Sequence, residues 1–262
     1  MSETINELPE HLSASSIQTY VQCPLKFKLS RVDKIQEPPT IQTLLGNFVH
    51  DALEYFYKNF EPLERTVVNA KQCCTLVWNQ DAWAEKVSPY LKKTTLNDFK
   101  WSAIWCVENL FLLENPSLIT PTGLEYEVFG EIDGVLIKGF IDRWLEKDGL
   151  VVISDYKTGK TPAPKYMSDK WFQLNLYALL LTELEGKQNF ELELLYLKDG
   201  VKKTHTPSPI DFETTKNLIT STKKEILFSH ENNEWSAIPS NLCNWCFYKS
   251  NLCTYWNPQN ER

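Results

Sequence analysis

The sequence predicts a layered α/β or α+β domain on a mixed central sheet. Three features carry that expectation. The apolar period is helical up to about Glu114 and switches to two from Leu124 onward. Asp133-Gly134, Asp148-Gly149 and Asp199-Gly200 each sit between apolar runs, and Asp-Gly is the strongest short hairpin signal. A helical stretch from about Lys170 to Leu184 separates the first strands from the last two.

The elements follow in order. Ser13 is placed to cap a helix through about Val21, and Pro24 restarts the chain. Thr40 to Phe60 reads as an amphipathic helix burying Leu44, Leu45, Phe48, Val49, Leu53 and Phe56. Pro62 to about Glu114 reads as helix broken near Pro89 and Thr94-Thr95, with Trp78, Trp83, Trp101 and Trp105 as core. Leu124–Phe129, Val135–Trp144 and Leu150–Tyr156 then form a meander. After the 170–184 helix comes a second hairpin, Phe190–Leu197 and Val201–Thr206. A helix from about Asp211 to Phe228 leads into a cysteine-rich tail. No internal repeat, low-complexity tract or long linker interrupts the chain.

Composition narrows the function classes. The 262 residues can bury a full core, as one large domain or one with appendages. No apolar run approaches the length of a membrane span. The opening Met-Ser-Glu-Thr-Ile-Asn-Glu lacks the charged and apolar regions of a signal peptide. A cytoplasmic protein is expected, and in that compartment seven cysteines point to metal or cluster ligation rather than disulfides. The net charge of −7 is not that of a general nucleic-acid binder. Basic residues nonetheless cluster at Lys26, Lys28, Arg31 and Lys34, at Lys157, Lys160, Lys165 and Lys170, and at Lys198, Lys202 and Lys203. Each cluster alone reads as a solvated face. Gly159-Lys160-Thr161 imitates the end of a Walker A loop, but Ser154 stands where its first glycine is required, so ATP binding is excluded.

The chemistry concentrates around two aspartates. If Asp148-Gly149 is a two-residue loop, Lys147 pairs with Leu150 and, counting outward, Asp142 pairs with Asp155. Their Cβ atoms then lie about 4.5–5.5 Å apart, and like charges so placed destabilise a sheet. A Mg²⁺ or Mn²⁺ ion between them removes the conflict, because hard oxygen ligands suit either. Lys157, two residues beyond Asp155, points to the same face. An ammonium there can orient a water and neutralise charge developing on a phosphate. The bland alternative is a solvated hairpin face, which fits poorly with Val151 and Ile153 on the same side of that strand.

Other motifs are weaker alone. Gly46 and His50 share one helix face. A mid-helix glycine costs about 1 kcal/mol relative to alanine, so a close approach is expected there, with His50 as a further metal ligand. With Asp133-Gly134 as a two-residue turn, Glu125 faces Asp142 and Glu127 faces Phe140, and either glutamate is placed to bind metal. Gln173 and Tyr177, four apart on a helix, are placed to contact a phosphate or Lys157. In the tail, Cys243 and Cys246 are followed by Cys253, a strong ligand signal. Cys23 is the best fourth ligand, since Cys73, Cys74 and Cys106 fall in helical core patterns. Four thiolates suit zinc or a 4Fe–4S cluster, and either would staple the two ends of the chain together.

In order, Ser-Ala-Ser-x₄-Tyr-x₂-Cys23-Pro24, Gly46-x₃-His50, a strand glutamate, Gly139-x₂-Asp142, Asp155-Tyr156-Lys157-Thr-Gly and Gln173-x₃-Tyr177 resemble the RecB-like branch of the PD-(D/E)XK nuclease superfamily. The four cysteines look like those of its iron–sulfur members, among them AddB nuclease domains and CRISPR-associated iron–sulfur exonucleases. The resemblance spans about Leu12 to Cys253. It implies a restriction-endonuclease-like sheet flanked by helices, with a helical insertion and a C-terminal iron–sulfur segment. One nuclease domain, 1–262, is expected. Residues 12–60 would carry the first cysteine and the Gly-x₃-His helix, 61–120 the insertion, 121–210 the catalytic sheet and helix, and 211–256 the cluster segment. It implies His50, Asp142, Asp155, Glu127 and the Tyr156 carbonyl as ligands to Mg²⁺ or Mn²⁺. Lys157 would act on the water, and Gln173 and Tyr177 on the scissile strand. Cys23, Cys243, Cys246 and Cys253 would hold a 4Fe–4S cluster rather than zinc. The implied activity is single-strand DNA exonuclease action in repair, recombination or defence, with a helicase as a partner. The alternative is a DNA-end-binding or scaffolding subunit of a helicase–nuclease or CRISPR adaptation complex.

Overall fold

The computed structural model describes residues 7–257; the first six, read above for a leader, and the last five lie outside it. Helix α1 (Ala14–Gln22) opens with a capping box in which Ser13 and Ser16 each accept the other's backbone N–H. Pro24 starts α2 (Pro24–Phe27), which runs into a π turn over Lys28–Val32. Thr40 caps α3 (Ile41–Asn59), Thr66 caps α4 (Val67–Gln80), and α5 (Trp83–Val87) leads to a 3₁₀ turn holding Pro89. Thr95 caps α6 (Leu96–Leu113). Strands β1 (Gly123–Ile132), β2 (Val135–Lys147) and β3 (Leu150–Lys157) follow. Then come α7 (Phe172–Glu185), β4 (Phe190–Tyr196), β5 (Val201–His205) and α8 (Pro209–Glu231).

The sheet order is β1-β2-β3-β4-β5. β3 pairs with β4 in parallel, whereas β2–β3 and β4–β5 are antiparallel. The parallel pair needs a crossover, and α7 supplies it. This is the expected mixed sheet flanked by helices. Among the described residues no helix is long and apolar enough to cross a membrane.

The chain divides into two compact units. One holds Pro39–Val128 and Phe140–Ser208. Its core gathers Phe48, Val49, Leu53 and Phe56 of α3, Cys74 and Trp78 of α4 and Phe99, Val107 and Leu110 of α6 with Tyr156 and Leu195 from the sheet and Leu197 just beyond β4. The other holds the described residues up to Pro38, Phe129–Gly139 and those from Pro209 on. There Leu12 bridges to Ile137, and the Tyr20 hydroxyl meets Ser229 Oγ at 2.9 Å. The tail docks through its own apolar cluster: Tyr248 is buried against Leu25 and Leu29, and its hydroxyl donates to the Ile35 carbonyl at 2.7 Å.

Three local expectations change. Trp78 and Trp83 are core, but Trp101 and Trp105 are 62% and 57% exposed. Phe99, Ala103, Cys106, Val107 and Leu110 already fill the buried stripe of α6, and Trp101 and Trp105 fall off it. Leu45 is only partly buried at the margin of the same core. The last hairpin closes with Tyr196 opposite Val201, so its loop is Leu197–Gly200 rather than Asp199-Gly200 alone.

Candidate active site

The β2–β3 hairpin turns as its sequence requires. Asp148 and Gly149 have φ of 53° and 78°, the two left-handed residues of a type I′ turn. The register runs from Lys147↔Leu150 to Arg143↔Ser154. Continued one step, that register would set Asp142 opposite Asp155, and the charge of Asp155 does act on Asp142. Alternation then sends the acids to one face and Arg143 and Ser154 to the other.

Asp142 Oδ2 accepts the Tyr156 N–H at 2.7 Å, which fixes the carboxylate against β3. Asp155 is buried, with Oδ2 2.6 Å from Lys157 Nζ. His50 reaches in from α3: Nε2 donates to the Tyr156 carbonyl at 3.0 Å, and Nδ1 lies 3.5 Å from both Glu125 Oε1 and Asp142 Oδ1. One ligand atom each from His50, Glu125 and Asp142 lies within 4.8 Å of the others. His50 and Glu125 open onto a cleft of about 730 Å³.

The electrostatics are those of a cation site. Burial, then the charge of Asp155, pushes the Asp142 carboxyl up to about 7, against the pull of His50. Burial opposes a charged His50, but Asp142, Glu125, Asp155 and the Tyr156 carbonyl outweigh it and lift the ring to about 9. At neutral pH the imidazolium therefore balances the acids. Burial also opposes the Lys157 charge, yet Asp155 raises its pKa overall, so Lys157 is an ammonium and not a base. An imidazole and carboxylate oxygens, crowded enough to hold a proton among them, fit a hard or borderline divalent ion. His50, Glu125 and Asp142 could hold it, with Asp155 and the Tyr156 carbonyl beside them.

The glutamate that the structure groups with His50 and Asp142 is Glu125, and Glu127 is not in that group. Glu125 has a φ of 41°, a left-handed residue inside β1 that breaks the two-residue alternation, and Glu127 is exposed. Gln173 Nε2 donates to the Tyr177 hydroxyl at 3.1 Å. Burial lifts that hydroxyl to about 12, with the charges of Asp155 and Asp142 adding to the rise, so the pair lies within the field of both acids. Gly46 does not serve a tight contact within the chain: a Cβ there would meet only Thr158 Oγ1, at 3.5 Å.

Sequence reasoning missed the network behind the acids. Arg143 is fully buried. It grips Glu114 with both Nη atoms and donates to the Tyr57 hydroxyl at 2.9 Å and Ser154 Oγ at 3.0 Å. Ser154 donates to Glu193 at 2.8 Å, and Lys202 reaches Glu193 at 2.5 Å. Arg143, Ser154 and Glu193 are lateral neighbours across β2, β3 and β4. The signal was an arginine between Ile141 and Trp144, on the face opposite Asp142.

The cysteines lie in the other unit. Cys23, Cys243, Cys246 and Cys253 line one pocket with Lys26 and Lys249. The Ser240 N–H bonded to Cys243 Sγ at 3.4 Å is the main cause holding that thiol below its usual range. Cys73, Cys74 and Cys106 are instead buried in the helical core, where burial pushes them up to about 11, 12 and 11. Four half-buried thiols thus share one pocket, although among the described residues the ligand group whose atoms lie within 4.8 Å of one another is His50, Glu125 and Asp142 and not these cysteines.

A family model described as the PD-(D/E)XK nuclease superfamily matches residues 11–253. The gene 69 protein of Mycobacterium phage D29 is 28% identical over 197 residues, covering 66% of this chain and 70% of that one. An ATP-dependent helicase/nuclease component of Lacticaseibacillus casei is 33% identical over 87 residues, 32% of this chain and only 7% of that protein. A candidate exonuclease of Eubacterium rectale, known as a crystal structure, superposes with a TM-score of 0.57 at 11% identity, over 97% of this chain and 94% of that one. That likeness is one of fold.

Proposed function

This chain belongs to the PD-(D/E)XK nuclease superfamily, and we propose that it is a Mg²⁺- or Mn²⁺-dependent deoxyribonuclease of the RecB-like branch. Its substrate in this reading is single-stranded DNA with a free end, cut in repair, recombination or defence. The observation that carries the reading is the Asp155–Lys157 pair at 2.6 Å beside the His50–Glu125–Asp142 cluster. When bound, the divalent ion supplies Lewis acidity and a water of lowered pKa. The protein's own groups do the rest. The Tyr156 N–H holds Asp142 in place. In this reading the Lys157 ammonium neutralises charge developing on the phosphate, and Gln173 and Tyr177 offer an amide and a hydroxyl to the strand. Exonucleolytic action draws support from the Eubacterium rectale fold likeness, and a helicase partner from the short match to the helicase/nuclease component.

The reading includes a 4Fe–4S cluster on Cys23, Cys243, Cys246 and Cys253, supported by their sharing one pocket. The test is cleavage of labelled single- and double-stranded DNA with Mg²⁺, Mn²⁺ or chelator. The parent should cut single strands only with metal, and Asp155→Ala and Lys157→Ala should each be inactive. An Asp155→Ala variant that cuts like the parent removes this site from consideration. A parent that binds DNA ends without cutting favours the end-binding role instead.

A further inference from the structure

Resting on the nuclease reading, we propose that Trp101 and Trp105 of α6, with Lys160 and Lys198, form a stacking track for the single strand beyond the scissile bond. Both rings are more than half exposed, on a helix whose apolar stripe is complete without them. They lie four residues apart on one face, with Cβ atoms about 5–6 Å apart, so successive unstacked bases can rest on successive rings.

The track is held in place and charged. Trp105 Nε1 donates to the Lys198 carbonyl at 3.1 Å, which pins the indole to the β4–β5 turn. Asn109 donates to the Leu197 carbonyl at 2.8 Å, so α6 lies along that turn. The Leu197 N–H donates to the Lys157 carbonyl at 2.9 Å, so the turn begins beside the catalytic lysine's strand. The Thr161 N–H donates to Asp199 Oδ2 at 2.6 Å, which draws the Lys160 loop to the same place. Lys160 and Lys198 are exposed there.

The acids nearby are engaged. Glu108 pairs with Lys71 at 2.5 Å, Asp98 caps α6 by accepting the Thr95 N–H at 2.8 Å, and Asp199 accepts from Thr161. What faces outward is two indoles and two ammonium groups, with Asp199 an exposed carboxylate whose charge interacts with both lysines, so the rings that take bases carry more of the complementarity than net charge does. The patch lies at the carboxyl ends of the parallel β3–β4 pair, where open α/β sheets receive ligands. A chain of net charge −7 cannot hold DNA by its general field, so a local track is what affinity requires.

Binding and cutting are measured separately on the full chain. Fluorescence anisotropy with a labelled oligothymidylate, and with a duplex, is read in chelator, where no metal-dependent cleavage occurs. Trp101→Ala should weaken single-strand binding about tenfold, and Trp105→Phe, which keeps a ring, far less. Lys198→Ala should reduce the slope of log affinity against log salt by about 0.7. Unchanged circular dichroism confirms that each variant folds. Single-strand binding by Trp101→Ala equal to the parent's overturns the track, as does a parent with no single-strand binding. A parent that sediments as a dimer, with Trp101→Ala a monomer of unaltered DNA affinity, makes the face a self-association surface and also overturns it. Cleavage by the parent with Mn²⁺ tests the nuclease reading independently: the parent can cut whether or not the track proposal survives.

Discussion

Replacing Arg143 by methionine should destabilise the protein by about 3–5 kcal/mol, the usual cost of breaking a buried ion pair by removing one partner. The side chains of Arg143 and Glu114 are 1% and 5% exposed. Without the guanidinium, Glu114 keeps only the Tyr57 hydroxyl, at 2.5 Å, whereas Glu193 keeps Ser154 and Lys202. One carboxylate is thus stranded, not two. Native domains hold roughly 5–15 kcal/mol, so the variant should still fold, with Tm lower by about 6–20 °C. The assay is urea denaturation in chelator at neutral pH, with Glu114→Gln and the double variant completing a cycle. The double variant should be more stable than the sum of the singles requires, because glutamine leaves no charge to strand.

The pH dependence carries its own sign. Burial pushes the Glu114 carboxyl up, but the hydrogen bonds and charge of Arg143 outweigh it and hold it below the ordinary range. A depressed folded-state pKa stabilises above the unfolded value, about 4.3, and that stability is lost as pH falls through the folded value. The gap between parent and Arg143→Met should therefore narrow from neutral pH down through the carboxylate range. A cost below about 1 kcal/mol, or a gap that widens in acid, would refute this account of the network.

Glu125→Gln should raise the Mn²⁺ concentration needed for half-maximal cleavage well above the parent's, while Glu127→Gln should not; the reverse order would restore Glu127 as the strand ligand. Purified protein should be brown, Cys23→Ser or Cys243→Ser should bleach it, and Cys73→Ala or Cys106→Ala should leave the colour, all read by visible absorbance and iron content. The bleached variants should keep their far-ultraviolet helical signal, since Tyr248 docks the tail without the cluster; a colourless parent with stoichiometric zinc would overturn the cluster. Gly46→Ala should stabilise the fold by about 0.5–1 kcal/mol in denaturant melts, because the new methyl meets only Thr158 Oγ1 and the helix gains propensity. A raised KM in that stabilised variant would place the substrate against Gly46, and a destabilised one would contradict the open space beside it.

What the sequence by itself determined was local. A two-residue turn at Asp148-Gly149 sets the β2–β3 register, and a strand period of two then makes Asp142, Asp155 and Lys157 neighbours on one face. Thr40 and the apolar period define α3 and carry His50 on it. The Cys243–Cys246–Cys253 spacing marks a ligand set within one short segment. The tertiary structure alone decided the rest. The turn register set Glu125 opposite Asp142 but left the choice between Glu125 and Glu127 open, and the packing of α3 against β1 and β2 brings Glu125 together with His50. Cys23 reaches the other three cysteines only once the chain ends are packed. Trp101 and Trp105 are outward because other residues of α6 had already filled its core stripe. Arg143 finds partners on α3, on β3 and β4 and just beyond α6. Short-range dihedral preferences and periodicity write the first group into neighbouring residues. The second group depends on which elements meet across the sheet, and that follows from the packing of the whole.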